Sequence, residues 1–283
     1  METILCPTDF SQAADNAVNY ADELAHRMKA RLILFHSIYE PEGTEIVSYS
    51  GVPYNHPVRD LNYEETQKNK LAHLQTRLQN ADWSTQINYE TRIKYGLTKN
   101  TIAEMIQEEQ ADMVVLGNEG AEGLKEILVG SVAADVIQKA TCPVLIIPPR
   151  ATFKPLSKIV FATDLRGEPF ADVNFVLRLA GLFDAEIIFL HIQTQNSTEV
   201  KEEVAAELTK IHKTLPYQNS SFYNETNAHI EDGISQFCRK HKADMLVMGY
   251  HPRTFWQNLF TQDYTQDMAY HTYLPLLVIH YRN

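Results

Sequence analysis

The chain has 283 residues, enough for two ordinary domains, with 44% hydrophobic and 22% charged residues, a balance that excludes a disordered polypeptide. Its formal net charge of −11 opposes non-specific binding to nucleic acid or to an anionic membrane. The cysteines, Cys6, Cys142 and Cys238, are widely spaced and odd in number, so no zinc knuckle or redox dithiol is signalled and buried free thiols in a reducing compartment are expected.

The opening METILCPTDFS carries no basic or apolar leader, and no apolar run reaches the roughly 18 residues needed to span a bilayer. A cytoplasmic protein is therefore expected. ILCPT reads as a short buried strand ending at Asp9. Ala14, Ala17, Val18, Ala21, Leu24, Ala25 and Met28 follow at helical spacing, and RLILFHS is a second buried strand. Residues 40–62, with Tyr49 and Tyr54 among prolines and glycines, read as a loop, either mobile or a cover over a site. Leu61 to Leu78 reads as a helix, INYETRI at 87–93 as an alternating strand, and the region of Ile102 and Ile106 as another helix. DMVVLG is a fourth strand, Ser131 to Ala140 a further helix, and PVLII closes the unit. Prolines in PPRATFKPLS, 148–157, then interrupt any regular element and mark a boundary.

The whole unit is written twice. ADMVVLG at 111–117 returns as ADMLVMG at 243–249, and PVLII at 143–147 as PLLVI at 275–279, both offset by 132. TDF at 8–10 returns as TDL at 163–165, and LILFHSI at 32–38 as IIFLHIQ at 187–193, both offset by 155. The copies thus align with one length change, 23 extra residues in the first. A period this long is a duplicated domain rather than a solenoid. Domains are expected at 1–150 and 155–283. Short apolar strands alternating with helices predict an α/β fold, each copy a doubly wound parallel sheet of five strands covered on both faces.

The richest chemical signal is Gly117-Asn-Glu-Gly120, nine residues, then Gly130-Ser131. Gly117 ends a strand and Gly130-Ser131 opens a helix, with Ser131 a candidate N-cap. A helix start offers unpaired N–H groups and partial positive charge to a phosphate, and glycines let the backbone approach it. Spacing alone is equally compatible with turns and a capped helix; neither a Walker A loop nor GxGxxG occurs. Asp9 and Gly117 end strands one and four. If those strands are neighbours, both residues meet at the switch point where doubly wound sheets bind ligands. Asp9 is then a candidate acceptor for a ribose hydroxyl or adenine edge, or a cap for the helix near Ser11.

PTDFS at 7–11, LFHSI at 34–38, ADMVVLG at 111–117, GNEGAEGLKEILVGSVA at 117–133 and CPVLIIP at 142–148 together resemble the universal stress protein family. The family motif G-x2-G-x9-G-[ST] is satisfied throughout in copy one. The resemblance implies strand order 3-2-1-4-5, ATP at the switch point, with or without magnesium, and two domains related by a pseudo-two-fold axis. It assigns adenine and ribose contacts to Pro7, Thr8, Asp9 and the Ile38 backbone. Phosphate contacts fall on Gly117, Gly120, Gly130, Ser131 and Val132, with Leu116 lining the site. It also implies antiparallel pairing of 143–147 with 275–279, an intramolecular pseudo-dimer that leaves room for further homo-oligomerisation. In copy two Asp164 and Gly249 match Asp9 and Gly117, but Pro252, Gln262 and Asp263 replace Gly120, Gly130 and Ser131. A proline and a carboxylate there oppose phosphate binding.

Three readings follow: a nucleotide-binding stress-response regulator, a slow magnesium-dependent ATPase using Glu119 or Glu122, or an interaction scaffold with an empty site. No evident base for activating water favours binding over fast catalysis, and no catalytic or metal-ligating residue is assigned. His36 and His191, at equivalent strand ends, read as structural. His251, His271 and His280 lack ligand spacing.

Overall fold

The computed structural model describes residues 2–39, 46–47, 53–54, 61–83, 85–118, 131–163, 165, 173–194, 216–250 and 274–280. In chain order the first half contains β1 (Thr3–Pro7), α1 (Gln12–Met28), β2 (Arg31–Ile38), β3 (Ile46–Val47), β4 (Pro53–Tyr54) and α2 (Leu61–Gln79). Next come β5 (Tyr89–Tyr95), α3 (Thr98–Glu108), β6 (Met113–Gly117), α4 (Ser131–Lys139) and β7 (Val144–Ile147). The second half contains β8 (Lys158–Ala162), α5 (Val173–Phe183), β9 (Glu186–Gln193), β10 (Ser220–Thr226), α6 (Ile230–His241), β11 (Met245–Tyr250) and β12 (Leu276–His280).

Both halves carry the expected order. Ten strands form one sheet, β10-β9-β8-β11-β12-β7-β6-β1-β2-β5, which is 3-2-1-4-5 in each copy. The two internal offsets reappear as pairing register. Ile4 faces Met113 as Ile159 faces Met245, and Ile4 faces Leu32 as Ile159 faces Ile187. The third strands refine the alignment. Leu32 faces Tyr89 while Ile187 faces Ser220, an offset of 131, so a second, one-residue length difference separates strands three and four. β5 also lies two residues beyond the expected 87–93, because its pairing follows β2 as far as Ile38 opposite Tyr95. Within the segment read as a loop, β3 and β4 form a small antiparallel ladder, Ile46 opposite Tyr54. The rest of 40–60 lies outside the described residues.

The halves join through their last strands, antiparallel, with Leu276 opposite Ile146, Leu277 opposite Leu145 and Val278 opposite Val144. This removes two exposed apolar edges that would otherwise invite aggregation. A two-fold axis normal to the sheet keeps corresponding helices on one face. One core is accordingly continuous across both domains: Ile4, Leu34 and Val115 under α1, Phe161, Phe189 and Val247 under α5, with Leu145 and Leu277 between them. Burying each such side chain contributes about 2 kcal/mol. On the opposite face, α3 and α4 cover Leu5, Ile33, Phe35, Val114 and Val144, and α6 covers Val160, Ile188 and Met248.

The connection between domains is packed. Asn16 Nδ2 donates to the carbonyls of Pro148 and Ala151 at 3.0 and 2.8 Å. Phe153 sits between Tyr20 of the first domain and Phe183 of the second, with centroids 5.0 and 6.2 Å away. An Arg178–Glu2 pair at 3.1 Å adds a second inter-domain tie. All three cysteines are free and buried, and burial pushes the Cys6 and Cys238 thiols up, away from the reactive thiolate.

α1 also anchors β5 through a buried polar cluster. Tyr89 Oη donates to Asp22 Oδ1 at 2.6 Å, Trp83 Nε1–H reaches Asp22 Oδ2 at 3.2 Å, and His26 stacks on Trp83. Burial raises the Asp22 carboxyl above the usual range, and the Tyr89 and Trp83 hydrogen bonds and His26 oppose that only in part. A folded pKa above the unfolded one places the stabilising contribution below the unfolded pKa, to be lost as pH rises through the folded value. The unfolding free energy of the wild type relative to Asp22→Asn is therefore expected to fall as pH rises above the usual aspartate range, measured by urea denaturation. A flat or rising difference would show that Asp22 is not held against ionisation.

Candidate functional site

The switch point lies between β1 and β6, adjacent strands whose continuations run to opposite sides of the sheet. There the ends of β1 and β6 and the first turn of α4 border a cleft of about 350 Å³, lined among others by Thr8, Asp9, Ser37, Gly117, Asn118 and Ser131. Pro7, Leu116 and Val132 also line it. Seven of the residues assigned from sequence thus converge. Ile38 lies one residue past the lining Ser37, buried at the end of β2, with its carbonyl accepting from Gly96 N–H at 2.9 Å. Gly120 and Gly130 lie outside the described residues, as do Glu119, Glu122 and Lys125.

The β1–α1 turn is built by side chains binding backbone. Thr8 Oγ1 accepts from Phe10 N–H at 3.0 Å, and Phe10 takes the left-handed φ of 65°. Ser11, not Asp9, caps α1: its hydroxyl accepts from Ala14 N–H at 3.2 Å. Asp9 instead accepts from Ser11 N–H through Oδ1 at 2.9 Å. Asp9 is exposed and lines the cleft. At the far wall, α4 begins at Ser131, which puts this residue at the helix start expected from sequence. The N–H groups of its first turn have no partner within the helix.

Gly117 is required for a reason the motif did not suggest. A Cβ there would lie 2.5 Å from the Ala13 carbonyl oxygen and 2.8 Å from its carbon. The residue is a glycine because β6 passes directly against the start of α1, which draws the Asp9 turn and the end of β6 together.

His36 has a structural role, as expected. Its Nδ1–H donates to the Thr8 carbonyl at 2.7 Å, and its ring lies 4.8 Å from Phe10. Burial, the largest effect, lowers its pKa despite the Thr8 hydrogen bond. The same staple recurs in copy two: His191 Nδ1–H donates to Thr163 at 2.9 Å, Thr163 Oγ1 accepts from Leu165 N–H at 3.1 Å, and Leu165 has φ 58°. These threonine and histidine contacts after strand one are therefore made alike in both copies. Sequence reading missed these hydroxyl and imidazole staples, although TDF/TDL and the paired strand-end histidines recur in register and were the available signal. Pro252, Gln262 and Asp263, which align with Gly120, Gly130 and Ser131, lie outside the described residues.

Among the described residues, no group of three His, Cys, Asp or Glu side chains could hold a metal ion, and no helix is long and apolar enough to cross a membrane.

This geometry coincides with known proteins. A family model described as the universal stress protein family matches residues 1–148 and again 155–280. Two universal stress proteins of Methanocaldococcus jannaschii are 30% identical over 155 residues and 31% identical over 144. Each alignment spans 51% of this chain, and they span 93% and 80% of those proteins. The crystal structure of a universal stress protein from Archaeoglobus fulgidus superposes with a TM-score of 0.70 over 98% of both chains, at 15% identity, a likeness of fold. With two matches that together span nearly its whole length, and the sheet order, tandem arrangement and switch-point cleft described above, the chain belongs to the universal stress protein family.

Proposed function

We propose that this protein is an adenine-nucleotide-binding stress-response regulator with one competent site per chain, in the first domain, and that its ligand is ATP. The observation that carries the reading is the convergence of Thr8, Asp9, Gly117 and the first turn of α4 on one cleft at the switch point. Its volume of about 350 Å³ falls within the range typical of small-ligand sites. In this reading Asp9 Oδ2 and the Ile38 backbone take the nucleoside. The N–H groups at Ser131 and Val132, with the glycines of the G-x2-G-x9-G-[ST] loop, take the phosphates. The titratable described residues lining the cleft, Asp9 and His36, already hold Ser11 N–H and the Thr8 carbonyl.

Copy two keeps the strand-one turn but has Pro252, Gln262 and Asp263 in place of the loop glycines and serine. Titration calorimetry with ATP is expected to give a stoichiometry near one per chain, and mass analysis of freshly purified protein to find a co-purified adenine nucleotide. Two equivalent sites would overturn the one-site reading, and no heat with any adenine nucleotide would overturn the function itself. Turnover measured with magnesium separates a regulator from a slow ATPase.

A further inference from the structure

The antiparallel seam has a directional consequence. Because β12 runs against β7, with Val278 opposite Val144, the carboxyl end of β12 arrives at the amino end of β7. The chain entering β7 has just left α4, which ends at Lys139. The last residues of the second domain are thereby delivered to the C-terminus of the helix whose N-terminus borders the nucleotide cleft.

Among the described residues, a side-chain contact is made there. His280 Nε2–H donates to the carbonyl of Ile137 at 2.6 Å, across 143 residues of sequence. Ile137 is among the last four residues of α4, whose carbonyls lack the usual intrahelical partner. Val136, one residue earlier, is satisfied by Ala140 N–H at 2.8 Å. A histidine N–H on a terminal carbonyl satisfies that acceptor and complements the negative end of the helix dipole. Tyr250, at the end of β11, packs against His280 with centroids 5.4 Å apart, and Tyr250 and Val278 both join the core beneath α4. Among the described residues, further polar ties to α4 are the partly exposed Lys99–Asp135 pair at 2.9 Å and the exposed Lys139–Asn100 bond at 2.8 Å. Exposed ties of this kind hold a helix weakly.

We propose that His280 is a positioning residue for the nucleotide site: the second domain, through this side chain, fixes the axial placement of α4 and so of the Ser131–Ala133 amides at the cleft. The inference rests on the reading of the cleft as a nucleotide site. It gives the second copy a role that does not depend on binding a ligand of its own. α4 has only nine residues, about 13 Å of helix, so a displacement of its last turn is carried to its first.

The test compares ATP affinity and amide hydrogen exchange of α4 in the full chain and in His280→Ala and His280→Gln. The glutamine amide carries an N–H donor near the position of imidazole Nε2. His280→Ala is expected to bind ATP about fivefold more weakly, about 1 kcal/mol at 1.4 kcal/mol per decade, with faster exchange at residues 131–139. His280→Gln is expected to restore both. Should His280→Ala fail to fold, His280→Asn replaces it, polar but too short to reach Ile137. Equal affinity in all variants would overturn the proposal. So would an equal loss in the alanine and glutamine variants, because loss of packing alone would not be rescued by a donor. If the wild type binds no adenine nucleotide, the functional reading fails; the exchange of α4 then still decides whether His280 holds the helix.

Discussion

Gly130→Asp is expected to abolish ATP binding, weakening it at least 100-fold in a chain that remains folded. Gly130 immediately precedes Ser131, the first residue of α4, which lines the cleft. A carboxylate introduced there stands at the helix N-terminus, where phosphate oxygens would accept from free N–H groups. Two like charges about 4 Å apart repel by about 4 kcal/mol at an effective dielectric of 20, more than the roughly 2.8 kcal/mol that a 100-fold loss requires. An acidic residue at a helix start is by itself compatible with the helix, so stability should change little and the two effects separate. Gly130→Ala, which adds a methyl group without charge, should lose less. Calorimetry alongside thermal denaturation makes the comparison, and unchanged affinity in folded Gly130→Asp would remove this loop from the site.

The second large effect concerns the seam. Leu277→Asp is expected to destabilise the whole chain by about 4 kcal/mol or more, because Leu277 is fully buried, opposite Leu145, in the core that runs through both domains. For one cooperative unit of 283 residues that corresponds to a fall in Tm of about 7 °C. The wild type should unfold in one cooperative transition despite containing two family domains. The shared core, the Asn16 clamp on the connection and Phe153 between Tyr20 and Phe183 leave no weak plane between the halves. Calorimetric scans that resolved two independent transitions, with Leu277→Asp affecting only the second, would contradict this.

Much of the molecule was legible before any coordinates. Apolar periodicity located the strands and helices, and the recurrence of ADMVVLG as ADMLVMG and of TDF as TDL reported the duplication that reappears as equivalent pairing of Ile4 with Met113 and Ile159 with Met245. Short continuous apolar runs can be buried only in the middle of a covered parallel sheet, so pattern and layer architecture are tied together. Of the residues that converge on the cleft, Asp9, Gly117 and Ser131 were nameable because a strand end and a helix start carry their chemistry in the backbone, whereas Pro7, Thr8, Leu116 and Val132 were implied by the family resemblance.

Other features were set by contacts between distant segments, which local patterns do not encode. The reason for Gly117 is the Ala13 carbonyl, 104 positions away in sequence. Asp9 and Ser11 are both plausible helix caps by residue type, and only the hydrogen bonds gave the cap to Ser11. The exact alignment of the copies needed the third strands, where Tyr89 and Ser220 are too dissimilar for pattern matching and the pairing ladder alone revealed the extra residue. By itself, then, the sequence determined the duplicated α/β units, their buried strands and the residue types gathered at the first switch point, because these follow from hydrophobic period and from backbone chemistry within a few residues. Tertiary structure decided that the two sheets share one core, that the connection is a packed element, and that His280 meets Ile137, because those depend on the antiparallel crossing of β7 and β12, which brings the end of the chain to a helix 143 residues earlier.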